Sequence, residues 1–77
     1  MKKVILYTKE NCCLCDEAKE LLEILKYEHD FTIIEKDIYQ DDELLERYQI
    51  EIPVVVIEGE ELNCEQIDLF SLKKRLQ

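Results

Sequence analysis

The alternation of short, continuous apolar runs with amphipathic stripes constrains this fold more than any other feature of the sequence. Val4-Ile5-Leu6-Tyr7 is an unbroken apolar run, the pattern of a strand buried on both faces at the centre of a sheet. Leu14, Ala18, Leu21, Leu22 and Leu25 then recur at helical spacing, with Glu17, Lys19, Glu20, Glu23 and Lys26 between them. This predicts an amphipathic helix that starts near Cys12 and turns its leucines inward. After the polar break Glu28-His29-Asp30, the aromatic and β-branched segment Phe31-Thr32-Ile33-Ile34 reads as a second strand. Strand, helix and strand in so short a stretch form a βαβ unit, with parallel strands joined by a right-handed crossover.

The second half of the chain reads differently. Asp41, Asp42 and Glu43 precede Leu44, Leu45 and Tyr48, the acidic start and apolar stripe of a short helix. Pro53 ends any helical run before Val54-Val55-Val56-Ile57, a third strand. Glu58-Gly59-Glu60 is a turn into a brief strand at Glu61-Leu62, so this pair is an antiparallel hairpin. From Glu65 to Leu76 the spacing predicts a closing helix, with Ile67, Leu69, Phe70, Leu72 and Leu76 inward and Lys73, Lys74 and Arg75 near its C-terminus. The order is βαβ, a linking helix, then ββα: an α/β fold with a four-stranded mixed sheet between helices, built as one domain over residues 1–77. With one Gly and one Pro, the chain has no flexible linker or low-complexity tract.

Size and charge exclude several functions. A chain of 77 residues buries too little surface to enclose a large cofactor, so its site is expected near the surface and no cofactor is expected. A net charge of -9 repels phosphate backbones and anionic lipid headgroups, which argues against nucleic acid and membrane partners. No apolar stretch approaches a membrane span, and Met1-Lys2-Lys3 followed by Val4 to Tyr7 is too short for a signal peptide. A cytoplasmic monomer is expected. The single Gly59 excludes a glycine-rich phosphate loop, and the lone His29 and Ser71 provide no Ser-His-Asp triad. His29 and the acidic runs Asp41 to Glu43 and Glu58 to Glu61 read as solvated, Tyr7 and Tyr48 as core.

Three of the four cysteines, Cys12, Cys13 and Cys15, crowd together after the first strand, and only Cys64 is distant. Such crowding suits chemistry better than stapling and points to a redox or metal site. At a helix N-terminus, unpaired N–H groups and the positive dipole end stabilise a thiolate, so the first thiol of a C-x-x-C pair becomes a nucleophile near neutral pH. Cys12 and Cys15 share a helical face, so the second sulfur can displace whatever the first has captured. Asp16 and Glu17 oppose the thiolate and moderate its activation. Cys13 lies on another face, and Cys13 and Cys64 read as inert or partly buried thiols. The alternative is a metal or iron–sulfur site built from all four thiolates, although structural sites normally take their ligands from two separated pairs.

Tyr7-Thr8-Lys9-Glu10-Asn11-Cys12-Cys13-Leu14-Cys15 resembles the strand-to-helix junction of glutaredoxins, with a Lys three residues before the first Cys. Ile52-Pro53-Val54 resembles the step at which thioredoxin-fold proteins carry a cis proline facing the active-site cysteines. The Cys-x-Leu-Cys form is similar to short bacterial glutaredoxin-like proteins. The resemblance implies a thioredoxin-like fold and a cis Pro53. It also implies a substrate site formed by Lys9, Ile52 and Pro53 beside the catalytic Cys12 and Cys15. Where glutaredoxins have a Gly pair and an acidic residue after the last hairpin, this chain has Gly59 and then Glu60-Glu61-Leu62-Asn63-Cys64, which implies weak glutathione recognition. The function expected is thiol–disulfide oxidoreduction on protein or small-molecule disulfides, with glutathione or thioredoxin reductase as electron donor. A non-catalytic metal-binding or protein-interaction module on the same fold is the alternative.

Overall fold

Parallel pairing of the first two strands organises the molecule, a computed structural model that describes residues 2–77. Strand β1 (Lys2–Thr8) runs into helix α1 (Cys13–Leu25) and returns as β2 (Phe31–Asp37), in register from Lys2 opposite Phe31 to Thr8 opposite Asp37. A 3₁₀ turn (Ile38–Gln40) and helix α2 (Asp42–Tyr48) lead to β3 (Val54–Ile57), β4 (Glu60–Leu62) and helix α3 (Leu69–Leu76). The strand order is β2-β1-β3-β4, with β3 antiparallel to both neighbours. The expected mixed sheet flanked by helices is therefore present, and β1 is interior to it.

Period-two alternation divides the core between the two faces of the sheet. Val4, Leu6, Val55 and Ile57 pack with Ala18, Leu22 and Leu25 of α1 and Leu72 and Leu76 of α3. Val54, with Tyr7 and Val56 against it, packs on the opposite face with Ile38, Tyr48 and Ile52. Cys15 belongs to this second cluster, so the cysteine motif caps the α2 side of the sheet. In the hairpin, Glu58 and Gly59 both have positive φ, 49° and 83°, as a two-residue type I′ turn requires of its central residues. Gly59 adopts this conformation without steric cost.

Several expected elements shift. The last helix begins at Leu69 rather than Glu65, because the extended residue Asp68 caps it, accepting a hydrogen bond from the Ser71 N–H at 2.7 Å. The preceding Asn63-x-x-Gln66 forms its own turn: Asn63 Oδ1 accepts from Glu65 N–H and Gln66 Oε1 from Asn63 N–H, the reciprocal arrangement of a capping box. With α3 so shortened, Phe70 is 76% exposed and Leu69 also faces outward, while Leu72 and Leu76 alone of the helix are buried. Leu14, expected inward, is 56% exposed. His29 is half-buried rather than solvated, its Nε2 shielded where the chain leaves α1. The second strand extends three residues beyond Ile34, and Asp37 then caps the unforeseen 3₁₀ turn by accepting from Tyr39 N–H at 2.9 Å. No helix among the described residues is long and apolar enough to cross a membrane.

Candidate active site

Asn11, with φ of 57°, turns the chain from β1 into α1, a left-handed conformation that Asn tolerates better than most residues. Cys12 follows as the N-cap: its backbone is extended and its Sγ accepts a hydrogen bond from Cys15 N–H at 3.2 Å. The side chain thus faces the unpaired N–H groups of the first helical turn, where negative charge on sulfur is favoured. Cys12 and Cys15 are paired as a disulfide, with Cα atoms 5.2 Å apart, within the usual span of such a bond. The two sulfurs differ in access. Cys15 is buried against Ile38, Tyr48, Ile52 and Val54, whereas Cys12 is half-buried at the edge of the same cluster.

The loop after α2 forms the facing wall. Tyr48 carbonyl oxygen accepts from Glu51 N–H at 2.8 Å and Ile52 N–H at 3.1 Å, reversing the chain so that Ile52 packs into the cluster containing both cysteines. The Ile52–Pro53 peptide bond is cis, as expected, and Pro53 is buried. Across this loop, Cys64 N–H donates to Glu51 carbonyl oxygen at 3.1 Å, and Cys64 is half-buried, as the sequence suggests. Cys13 is exposed instead of partly buried, because it lies on the solvent side of the first helical turn. Among the described residues no group of three or more His, Cys, Asp or Glu side chains is arranged to hold a metal ion.

Lys9 is half-buried. It lines a cleft of about 370 Å³ that reaches Cys15 and is bounded by Glu10, Asp16 and Asp37. Lys19 and Glu35 close this cleft as an ion pair at 2.9 Å, and the carboxylate's hydrogen bond holds the lysine above its ordinary pKa. Cys12, Cys15 and Ile52 are thus brought into one cluster, while Lys9 meets Cys15 through the cleft.

Tyr48 is the anchor that the sequence does not reveal. Its ring is 3% exposed and stacks on Tyr7 of β1 with centroids 4.6 Å apart. Its hydroxyl donates to Glu61 Oε1 at 2.6 Å, and Arg47 Nη2 donates to the same oxygen at 3.1 Å. Burial, reinforced by the hydrogen bond to Glu61, pushes the phenol up to about 12. Glu61, still exposed as the sequence suggests, is therefore also a partner across thirteen residues. No local pattern signals that pairing, although Asn63-x-x-Gln66 and Asp68-x-x-Ser71 are readable capping signals.

The whole-chain comparison decides the relationship: residues 3–77 match the model of the Glutaredoxin-like domain (DUF836). The chain belongs to that family. Among solved structures, this glutaredoxin-like chain is similar to protein XcR50 from X. campestris, at 28% identity over 92% of this chain and 91% of that one, with a TM-score of 0.78. Protein Ne2328 from Nitrosomonas europaea is similar at 26% identity over 99% and 92% of the two chains, with a TM-score of 0.84. A mutant of the thioredoxin-like protein BC3987 shares the fold at 24% identity over 96% and 99%, with a TM-score of 0.68. The thioredoxin-like fold that the resemblance implied is thus the fold of this chain.

Proposed function

We propose that this glutaredoxin-like protein is a thiol–disulfide oxidoreductase working through Cys12 and Cys15. The observation that carries the reading is the asymmetry of the pair: the accessible sulfur is the helix cap and the buried one lies within bonding reach behind it. In the dithiol form, the Cys12 thiolate attacks one sulfur of a substrate disulfide. The other substrate sulfur leaves as a thiolate and takes up a proton. Cys15, after losing its proton, attacks Cys12 Sγ and expels the second substrate thiol. Two electrons pass to the substrate, and the Cys12–Cys15 disulfide remains for an external thiol to reduce. Ile52 and Pro53 form the wall against which the substrate chain is held.

Glutathione is a poor fit as substrate. Every backbone N–H from Asn63 to Ile67 donates within the chain: to Gln66 Oε1, Glu51 O, Asn63 Oδ1 and, twice, Asn63 O. A carboxylate seated there would have to displace one of these bonds. The loss of two charge-assisted hydrogen bonds, about 1.5 to 3 kcal/mol each, exceeds what one half-buried Lys9 supplies. Protein or small-molecule disulfides are the substrates proposed, with glutathione or thioredoxin reductase restoring the dithiol in the cytoplasm.

The test uses a Cys13→Ser background, so that the exposed neighbour cannot contribute. Adding Cys15→Ser should trap a mixed disulfide with bis(2-hydroxyethyl) disulfide, mapped to Cys12 by mass spectrometry, and adding Cys12→Ser should trap none. Trapping at Cys15 in the Cys12→Ser protein would reverse the roles. If neither variant forms an adduct and the dithiol parent does not react, the redox reading fails.

A further inference from the structure

The segment that leads from α2 to the Ile52–Pro53 wall is held by hydrogen bonds rather than by packing. Gln49, Ile50 and Glu51 are all exposed, Ile50 at 88%. Tyr48 carbonyl oxygen accepts from Glu51 N–H and Ile52 N–H on one side, and Cys64 N–H donates to Glu51 carbonyl oxygen on the other. The outer ties lead to one strand: Cys64 follows β4 by two residues, and Glu61 within β4 accepts from the Tyr48 hydroxyl.

Tyr48 is where these ties meet. Its ring stacks on Tyr7, whose partner across the β1–β3 ladder is Val54, the residue after Pro53. Tyr48, Cys15, Ile52 and Val54 belong to one buried cluster, with Cys12 packed against it. Stacked rings tolerate lateral offset, whereas a hydroxyl bond of 2.6 Å is directional and fixes the ring along the stack. Glu61 is held in turn: Arg47 donates to the same oxygen, and its guanidinium lies 5.2 Å from the Tyr48 ring centroid.

We propose that Tyr48, through its bond to Glu61, is the positioning residue that holds Ile52 and Pro53 where a polypeptide disulfide must lie to meet Cys12. The inference rests on the redox reading and adds to it the residue pair that sets the substrate wall. A small disulfide needs only the Cys12 sulfur, whereas a polypeptide must also lie along the wall. A shift of about 1 Å in such a surface can cost as much as about a hundredfold in rate. A bond that served stability alone would leave the two classes of disulfide equally affected.

The dithiol protein in the Cys13→Ser background is mixed with bis(2-hydroxyethyl) disulfide or with two uncharged hexapeptides bridged by one disulfide. Formation of the Cys12–Cys15 disulfide is followed by acid quench and mass spectrometry, where circular dichroism shows every variant folded. Tyr48→Phe should lower the rate constant for the peptide by about tenfold and keep that for the small disulfide within about twofold. Glu61→Ala should do the same, and the double variant no more than either, because both break one bond. Glu61→Gln keeps an acceptor for the hydroxyl and should retain most of the peptide rate. Asp68→Ala removes the α3 cap, a comparable loss of stability, and should leave both rates unchanged.

Equal losses with the two disulfides, an unchanged peptide rate in Tyr48→Phe, or an equal loss in Asp68→Ala would overturn the assignment while leaving the redox function intact. Additive losses in the double variant, or Glu61→Gln as slow as Glu61→Ala, would overturn the hydrogen bond as the link. A parent that exchanges with the small disulfide and not with the peptide would overturn the wall as a polypeptide site. No exchange with either overturns the redox reading and this inference with it.

Discussion

Replacing Tyr48 with Phe tests whether the loop before Pro53 is held by a buried, carboxylate-linked phenol. The substitution keeps the ring that stacks on Tyr7 and removes only the hydroxyl that donates to Glu61 at 2.6 Å. A hydrogen bond to a charged acceptor contributes about 1.5 to 3 kcal/mol. The Glu61 side chain is 40% exposed and also accepts from Arg47, so water and the guanidinium recover part of that, and a loss of about 1 to 2 kcal/mol near pH 8 is expected. The pH dependence is more specific. The native phenol titrates at about 12 rather than at its ordinary 10. Below pH 10 folded and unfolded chains both keep the proton, and this stabilisation is fully present. Between 10 and 12 the unfolded chain releases it first, so native stability falls, by about 1.4 kcal/mol at pH 11. Tyr48→Phe should lack this component. Urea denaturation followed by circular dichroism at pH 8, 10 and 11 gives both quantities, and groups common to the two proteins cancel in the difference. If parent and variant lose equal stability between pH 8 and 11, or if the variant is as stable as the parent at pH 8, the phenol does not anchor the loop.

Asp68→Ala should destabilise the protein by about 1 kcal/mol, seen as a lower urea midpoint, because it removes the cap on the Ser71 N–H; an unchanged midpoint would count against that cap. In the oxidised protein, iodoacetamide should modify exposed Cys13 before half-buried Cys64 and leave Cys12 and Cys15 untouched, as peptide mapping would show. In the reduced protein at pH 6, Cys12 should be alkylated ahead of Cys15, since only the cap sulfur is both accessible and faced by helix N–H groups. Lys9→Ala should change deglutathionylation of a model substrate only a few-fold; loss of a rapid, saturable reaction would show that a lone ammonium suffices to hold glutathione.

Much of the candidate site is visible in the residues themselves because its chemistry is local. Cys12 and Cys15 are separated by one helical turn, and the acceptor role of Cys12 at the helix start follows from that position alone. The same holds for β1, α1 and β3, whose apolar periods match their burial, and for the Ile52–Pro53 step. At the C-terminal end, local signals compete: Asn63-x-x-Gln66 and Asp68-x-x-Ser71 both offer capping, and helical periodicity runs through both, so the pattern overstates the helix. Periodicity also cannot tell that Leu14 and Phe70, both on the apolar pattern, stay exposed in the assembled fold.

Sequence alone determines the order of elements, the thiol pair at a helix start and the negative charge, because each is a property of neighbouring residues or of their sum. Tertiary structure decides which sulfur is accessible, how Lys9 reaches Cys15 through a cleft, and that Tyr48 and Glu61 meet. The burial of Cys15 and the Tyr48–Glu61 pair depend on the β3–β4 register and on α2 packing against the sheet, which bring together side chains far apart along the chain, whereas the Lys9 cleft is formed where β1, α1 and β2 meet. In a chain of 77 residues such placements cannot be read from periodicity, since the same apolar stripe suits several depths of burial and only the assembled sheet selects one.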